Sequence, residues 1–254
     1  MNALFAKGDG KGLIRLIRRI PAPKGRKPTY GVPLAALMLL GRGDVRATAA
    51  GVVASVALCA IALVPLVHAE GGLAPFVTLL GSSVAAFAAE DSSNAWASVA
   101  RTDVSSLVAR LLGRAPTLRV ELGLGVLVLA AAVVGLRRLH ADRSPAGVQL
   151  GIGLVCLSIL VGFYHQTYDV LLLTWPAIAL ATGRWGRDGA APAALRGIVL
   201  GLLAVPFLNY LASVPVAARF SQGGAAWLAL TALNPAALLA AWGVHLALAF
   251  RAAR

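Results

Sequence analysis

Phe163–Asp169 reads FYHQTYD and places Tyr164, His165, Gln166, Tyr168 and Asp169 between two aliphatic runs. A charged group at the centre of a bilayer costs about 2.5–3.5 kcal/mol on insertion scales, so such groups tend to be kept where a site uses them. If one helix continues through the patch, His165 and Asp169 stand four residues apart and share a face. The carboxylate would then orient the imidazole and favour its protonated form, a pair suited to proton transfer or to gripping an anion. The same residues also fit a tight loop with an aromatic belt at the membrane interface.

Two further groups could meet an anion. Lys27, beside Arg26 and ahead of Pro28-Thr29-Tyr30-Gly31, could hold a phosphate as a point charge, or could simply attract anionic lipid headgroups. Arg101-Thr102-Asp103 precedes a helical pattern. Asp103 stands where an N-cap belongs, and Arg101 is left to meet an anionic ligand at the helix N-terminus. Other signals are weaker. Gly8–Gly12 (GDGKG) lacks the strand and spacing of a phosphate loop and reads as a linker. His68, His140 and His245 are single, and Asn209, Asn234, Pro176, Pro206 and Pro235 mark kinks and interhelical hydrogen bonds. Cys59 and Cys156 both lie inside apolar runs, and the few scattered acids offer no metal site.

The elements that must position these residues are set by composition. Of 254 residues, 59% belong to the hydrophobic set and 13% are charged, against about 25% charged in an average soluble domain. A water-soluble fold of this length has too little interior for so much apolar surface. The bilayer is the solvent. A span takes about 20 apolar residues, and Ala47–Val67, Leu118–Leu136, Ala146–Tyr164, Val170–Thr182, Gly197–Ala218 and a run within Phe220–Phe250 supply six, the fourth of them short. Tyr30–Leu40, half the needed length and containing Pro33, is a partial seventh. The fold expected is an all-α polytopic bundle of six to seven spans, with residues 29–254 as the transmembrane region.

The net charge is +13. With these spans, Arg42, Arg46, Arg137, Arg138, Arg143, Arg184, Arg187, Arg196, Arg251 and Arg254 share one side in short segments, which the positive-inside rule makes cytoplasmic. Residues 69–117 then face outward. In that outer loop Leu73–Phe87 and Val104–Leu112 repeat apolar residues at helical spacing, so both are expected as amphipathic helices lying on the membrane, the second ending at Gly113. Residues 1–28 form a separate basic segment. It contains a short amphipathic stretch, Gly12–Ile20, which suits a membrane surface better than nucleic acid.

Three blocks, KPTYGVPLAALMLLG (Lys27–Gly41, followed by RGDVRATAAG), RTDVSSLVARLLG (Arg101–Gly113) and YHQTYDVLLLTWP (Tyr164–Pro176), stand in an order and spacing that resemble the glycosyltransferase family 87 membrane proteins (the DUF2029 group), of GT-C architecture. The resemblance covers about residues 26–185. It implies a multi-pass plasma (inner) membrane enzyme that moves a hexosyl or pentosyl group from a polyprenyl-phosphate sugar to a lipid or envelope glycan acceptor, on the outer face and with inversion. Neither a metal nor a cofactor is called for. In that reading Asp169 and His165 are the catalytic candidates, and Lys27, Arg101, Asp103, Gln166 and Tyr168 contact the donor or the sugar. Family members also carry a membrane region ahead of the lysine–proline motif, with an outer loop that supplies the catalytic acid. Residues 1–25 offer only Asp9, so the chain is expected to correspond to the C-terminal part of such an enzyme. The competing expectation is a non-catalytic polytopic membrane protein, a small transporter or an assembly subunit.

Overall fold

The computed structural model describes residues 31–88, 94–142, 144–163, 167–182, 192–209 and 213–251. Among them every regular element is a helix. A first helix, α1 (Gly31–Ala36), runs on into a π-helical stretch, Leu37–Arg42. Then come α2 (Val45–Ala69), α3 (Leu73–Ala88), α4 (Val104–Leu112), α5 (Leu118–Leu139) and α6 (Pro145–Gly162). A 3-10 helix, Thr167–Leu173, leads into α7 (Thr174–Ala181). The chain closes with α8 (Ala193–Leu208), α9 (Val214–Ala217) and α10 (Ala225–Arg251). The helices α2, α5, α6 and α10 are long and apolar enough to cross a membrane, and shorter apolar helices accompany them. This is an all-α membrane helix bundle.

Two expected spans differ in extent. Val170–Thr182 is divided, its first residues in the 3-10 helix and the rest in α7. The run Gly197–Ala218 stops at Leu208: Pro206 sits near the end of α8, and Asn209 turns out of the helix to donate from Nδ2 to Asn234 Oδ1 (2.9 Å) and to the Leu230 carbonyl (3.2 Å) of α10. A polar bond between helices replaces the final turn.

The core lies along α6, where Leu150, Leu154, Leu157 and Leu160 are fully buried between α5, α10 and their neighbours. Lipid tails are as apolar as leucine, so helices associate here by close packing rather than by escape from water. Small residues permit the approach. A Cβ on Gly125 of α5 would stand 2.9 Å from the Gly162 carbonyl oxygen of α6, and one on Gly135 would meet Leu246 and Leu154 at 2.9 and 3.0 Å.

The half-length run packs as a half-length helix. From Gly31 to Arg42 it rises about 17 Å against about 30 Å of hydrocarbon. Its Gly41 fits beneath Leu136, and Arg137 Nε donates to the Leu40 carbonyl (2.7 Å), satisfying an end-of-helix acceptor. Beyond Gly43, in the left-handed conformation, Asp44 caps α2 by accepting from the Ala47 amide (3.0 Å). No residue in the apolar window of α2 is buried by the rest of the chain, which leaves most of its surface available to lipid.

These contacts sort the charges. Arg42 lies against Gly151 near the start of α6, Arg137 reaches Leu40, and Arg138 sits 4.8 Å over the Phe250 ring next to Arg251. These arginines therefore gather at one end of the bundle. The other end, about 30 Å away along α5, holds the start of α5, the end of α6 and the start of α10.

Candidate functional site

At that second end the polar face of α4 is turned inward. Asp103 caps the helix: its Oδ1 accepts from the Ser106 amide (2.8 Å), and Gly113 ends the helix in the left-handed conformation. The cap and the stop stand where the sequence predicts them. The buried residues of α4 are Val104, Ser105, Ser106, Ala109 and Arg110, whereas Leu111 and Leu112 are 77% and 57% exposed. Its oily edge thus faces away from the protein and is available to lipid, while the serine–arginine face packs on α10, α5 and α6. The amphipathic pattern is legible in the sequence; which face the protein keeps is not.

Just before the helix, Arg101 forms the centre of a charge cluster. Its Nε donates to Asp103 Oδ2 (2.6 Å), and its Nη2 donates to Glu121 Oε2 (2.8 Å) with Nη1 near Oε1 (3.4 Å). Arg101 and Asp103 are 4% and 1% exposed, and Glu121 is 24% exposed. Burial alone would lower the pKa of Arg101, but Asp103 and Glu121 outweigh it and the value is raised. The pairing fixes the entry of α4 against the first turn of α5. Upstream, Trp96 stacks obliquely on Trp227 of α10, with ring centroids 5.1 Å apart, which ties the approach segment to the same end.

Arg110 is bonded differently. Its Nη2 donates to the carbonyls of Ser98 (2.9 Å) and Arg101 (3.2 Å). Its Nε and Nη1 are buried and meet no hydrogen-bond partner among the described residues. The side chain is 3% exposed. Burial pushes its pKa down to about 10, Asp103 resisting and Arg101 adding to the fall. That remains well above neutral, so the guanidinium is a buried cation.

Phe163, the first residue of FYHQTYD, comes to the same end. The Phe163 ring lies 3.9 Å from where a Cβ on Gly125 would stand, and Gly125 is one turn beyond Glu121 on α5. Asp169 is partly buried in the 3-10 helix. The backbone of Tyr168 belongs to that helix as well. Arg101, Asp103 and Phe163 are therefore brought to within about a turn of one another along α5, whereas the 3-10 helix that carries Asp169 packs on α6, α7 and α8. Lys27, His165 and Gln166 lie outside the described residues. Arg101 and Asp103, nominated as donor contacts, are engaged with each other and with Glu121.

Sequence reading did not nominate Glu121 or Arg110. A signal existed for each. Glu121 is a lone acid inside an apolar run, the same cost argument that singled out FYHQTYD. Arg110 continues the stripe Ser105, Ser106, Ala109 on the helix face opposite the leucines. Among the described residues no group of three His, Cys, Asp or Glu could hold a metal. A groove of about 600 Å³ between α2 and α3 is lined by Leu63, Val64, Val67, Leu73 and Phe76, with His68 its one titratable group. No family model, curated protein or solved structure matches this chain.

Proposed function

We propose that the chain acts as a membrane glycosyltransferase of the GT-C type, moving a hexosyl or pentosyl group from a polyprenyl-phosphate sugar to a lipid or envelope glycan acceptor at the outer face of the plasma (inner) membrane. One observation supports this reading most. The RTD block and Phe163, which opens the FYHQTYD patch, lie at the bundle end opposite Arg42, Arg137, Arg138 and Arg251. By the positive-inside rule the arginine end is cytoplasmic, which leaves the ionisable cluster facing outward, where lipid-linked saccharides are used.

The chemistry is an inverting displacement. Asp169, with His165 as the second catalytic candidate, takes the proton from the acceptor hydroxyl. The hydroxyl oxygen bonds to the anomeric carbon as the bond from that carbon to the phosphate oxygen breaks, and polyprenyl phosphate leaves with the electron pair. Basic side chains, Lys27 among them, stabilise the charge that develops on the departing phosphate. Tyr168 and Gln166 are the residues assigned to the sugar, and Arg101 with Asp103 holds the start of α4 that frames the site.

The test is sugar transfer by membranes containing the chain, supplied with radiolabelled polyprenyl-phosphate sugars. Transfer is expected from the wild type and is expected to be lost in the His165→Ala/Asp169→Asn double variant. Wild-type transfer by that variant removes the site assignment. Solute uptake by proteoliposomes without any transfer favours a small transporter instead.

A further inference from the structure

The bundle end opposite the Arg101 cluster carries more cations than acids. Arg42 closes the π-helical stretch, Arg46 lies in the first turn of α2, Arg137 and Arg138 in the last turn of α5, and Arg251 ends α10. The acids described at this end, Asp44 and Asp142, are engaged with backbone. Asp44 accepts from the Ala47 amide, and Asp142 accepts from the Ser144 amide (2.9 Å) beside the first turn of α6. Among the described residues none of these arginines takes part in an ion pair. A rule of basic loops accounts for the surplus of charge, but not for two of the positions. Arg46 stands at the positive end of the α2 dipole, where a cation is disfavoured and an anion is favoured. Arg137 is fixed by the bond from its Nε to the Leu40 carbonyl, at the start of the hinge that leads through Arg42 to Arg46.

We infer that the rim formed by Arg42, Arg46, Arg137 and Arg138 binds the headgroup of an anionic phospholipid, and that this lipid ties α2 to α5. Three observations select a lipid. These arginines occupy the first or last turns of apolar helices, which is the depth of the headgroups. Directly beyond Arg46, Val52, Val53 and Val56 of α2 are exposed and give acyl chains a wall to lie along. Arg46, Arg137 and Arg138 are themselves exposed, so a phosphate reaches them without displacing protein. Arg137 and Arg138 are already held, by the Leu40 carbonyl and over the Phe250 ring, which lowers the ordering cost of binding. The link matters because α2 packs chiefly on α1, the π-helical stretch and α3, and has no substantial contact with α5. A phosphate shared by Arg46 and Arg137 supplies the connection that the protein leaves out. This surface is independent of the transferase reading, which concerns the other end of the bundle.

The experiment uses the full chain in nanodiscs of phosphatidylcholine with and without phosphatidylglycerol. Phosphatidylglycerol is expected to raise the wild-type melting temperature and to slow amide exchange over residues 45–52, the first turns of α2. Both effects are expected to be lost in Arg46→Gln/Arg137→Gln and kept in Arg114→Gln/Arg119→Gln, which removes the same charge from exposed positions at the opposite end. Native mass spectrometry reads the affinity for phosphatidylglycerol, expected to fall about fivefold for each rim arginine removed. Each variant is compared with itself in the two lipids, so the loss of the Arg137–Leu40 bond cancels. A wild type that does not respond to phosphatidylglycerol overturns the inference, as does an equal response in wild type and Arg46→Gln/Arg137→Gln. If that double variant does not fold, Arg46→Gln decides alone, since its side chain is exposed and unbonded among the described residues; a full wild-type response from it overturns the site. Inorganic polyphosphate is the last probe. Binding that needs Arg46 and Arg137, with no effect of phosphatidylglycerol, assigns the rim to a soluble polyanion and overturns the lipid.

Discussion

Arg101 Nη2 stands 2.8 Å from Glu121 Oε2, across a gap of twenty residues that contains the whole of α4. That bond closes a loop. The segment before α4 is tied to the first turn of the helix after it, and Asp103 completes the tie from within. The end of the bundle where the ionisable groups collect is thereby a built surface rather than the frayed entry of a span.

Removing the central cation should therefore cost much more than removing one of its partners. Arg101→Ala takes from Asp103 and Glu121 the cation that bonds them both, and breaking a buried pair in this way costs about 3–5 kcal/mol. Glu121→Gln leaves Arg101 with Asp103, and Glu121 is already partly open to solvent, so a loss of about 1–2 kcal/mol is expected. Thermal unfolding of the purified protein in nanodiscs reads both. Equal melting of Arg101→Ala and wild type would show that the cluster does not hold the fold.

The contact between α5 and α6 makes a sharper local prediction. Gly125→Ala drives a Cβ to 2.9 Å from a backbone oxygen of α6, and such overpacking costs about 1–3 kcal/mol. Gly123, two residues earlier on the same helix, faces open space, so Gly123→Ala should be neutral or gain up to about 1 kcal/mol of helix propensity. Melting temperatures moving in opposite directions for the two variants fit the packing described. A tolerated Gly125→Ala would mean that α5 and α6 stand farther apart at this level.

What the sequence makes legible here is local. The four long spans follow from runs of apolar residues, and the Asp103 cap and Gly113 stop follow from chemistry within one turn. The half-length of Gly31–Arg42 is also visible, though not that Gly41 seats it under Leu136. The rest depends on partners distant in the chain. Ser105, Ser106 and Arg110 read as a solvated stripe, yet they are buried because α10 and α5 cover them and the leucines are left for lipid. Glu121 stands out as an acid in an apolar run, but its partner Arg101 is visible only in the fold. Asn209 and Asn234 are legible as polar residues that bond between helices, and they do so with each other; that α8 ends there is not.

The outward placement of the cluster carries the functional account, and site-directed labelling measures it. In a Cys59→Ser/Cys156→Ser background, single cysteines are introduced at Arg114, exposed just beyond α4, and at His140, exposed at the arginine end. A membrane-impermeant maleimide applied to intact cells is predicted to label Arg114→Cys at once and His140→Cys only after permeabilisation. The reverse pattern would put the Arg101–Glu121 end inside the cell and contradict a role in using extracytoplasmic lipid-linked sugars.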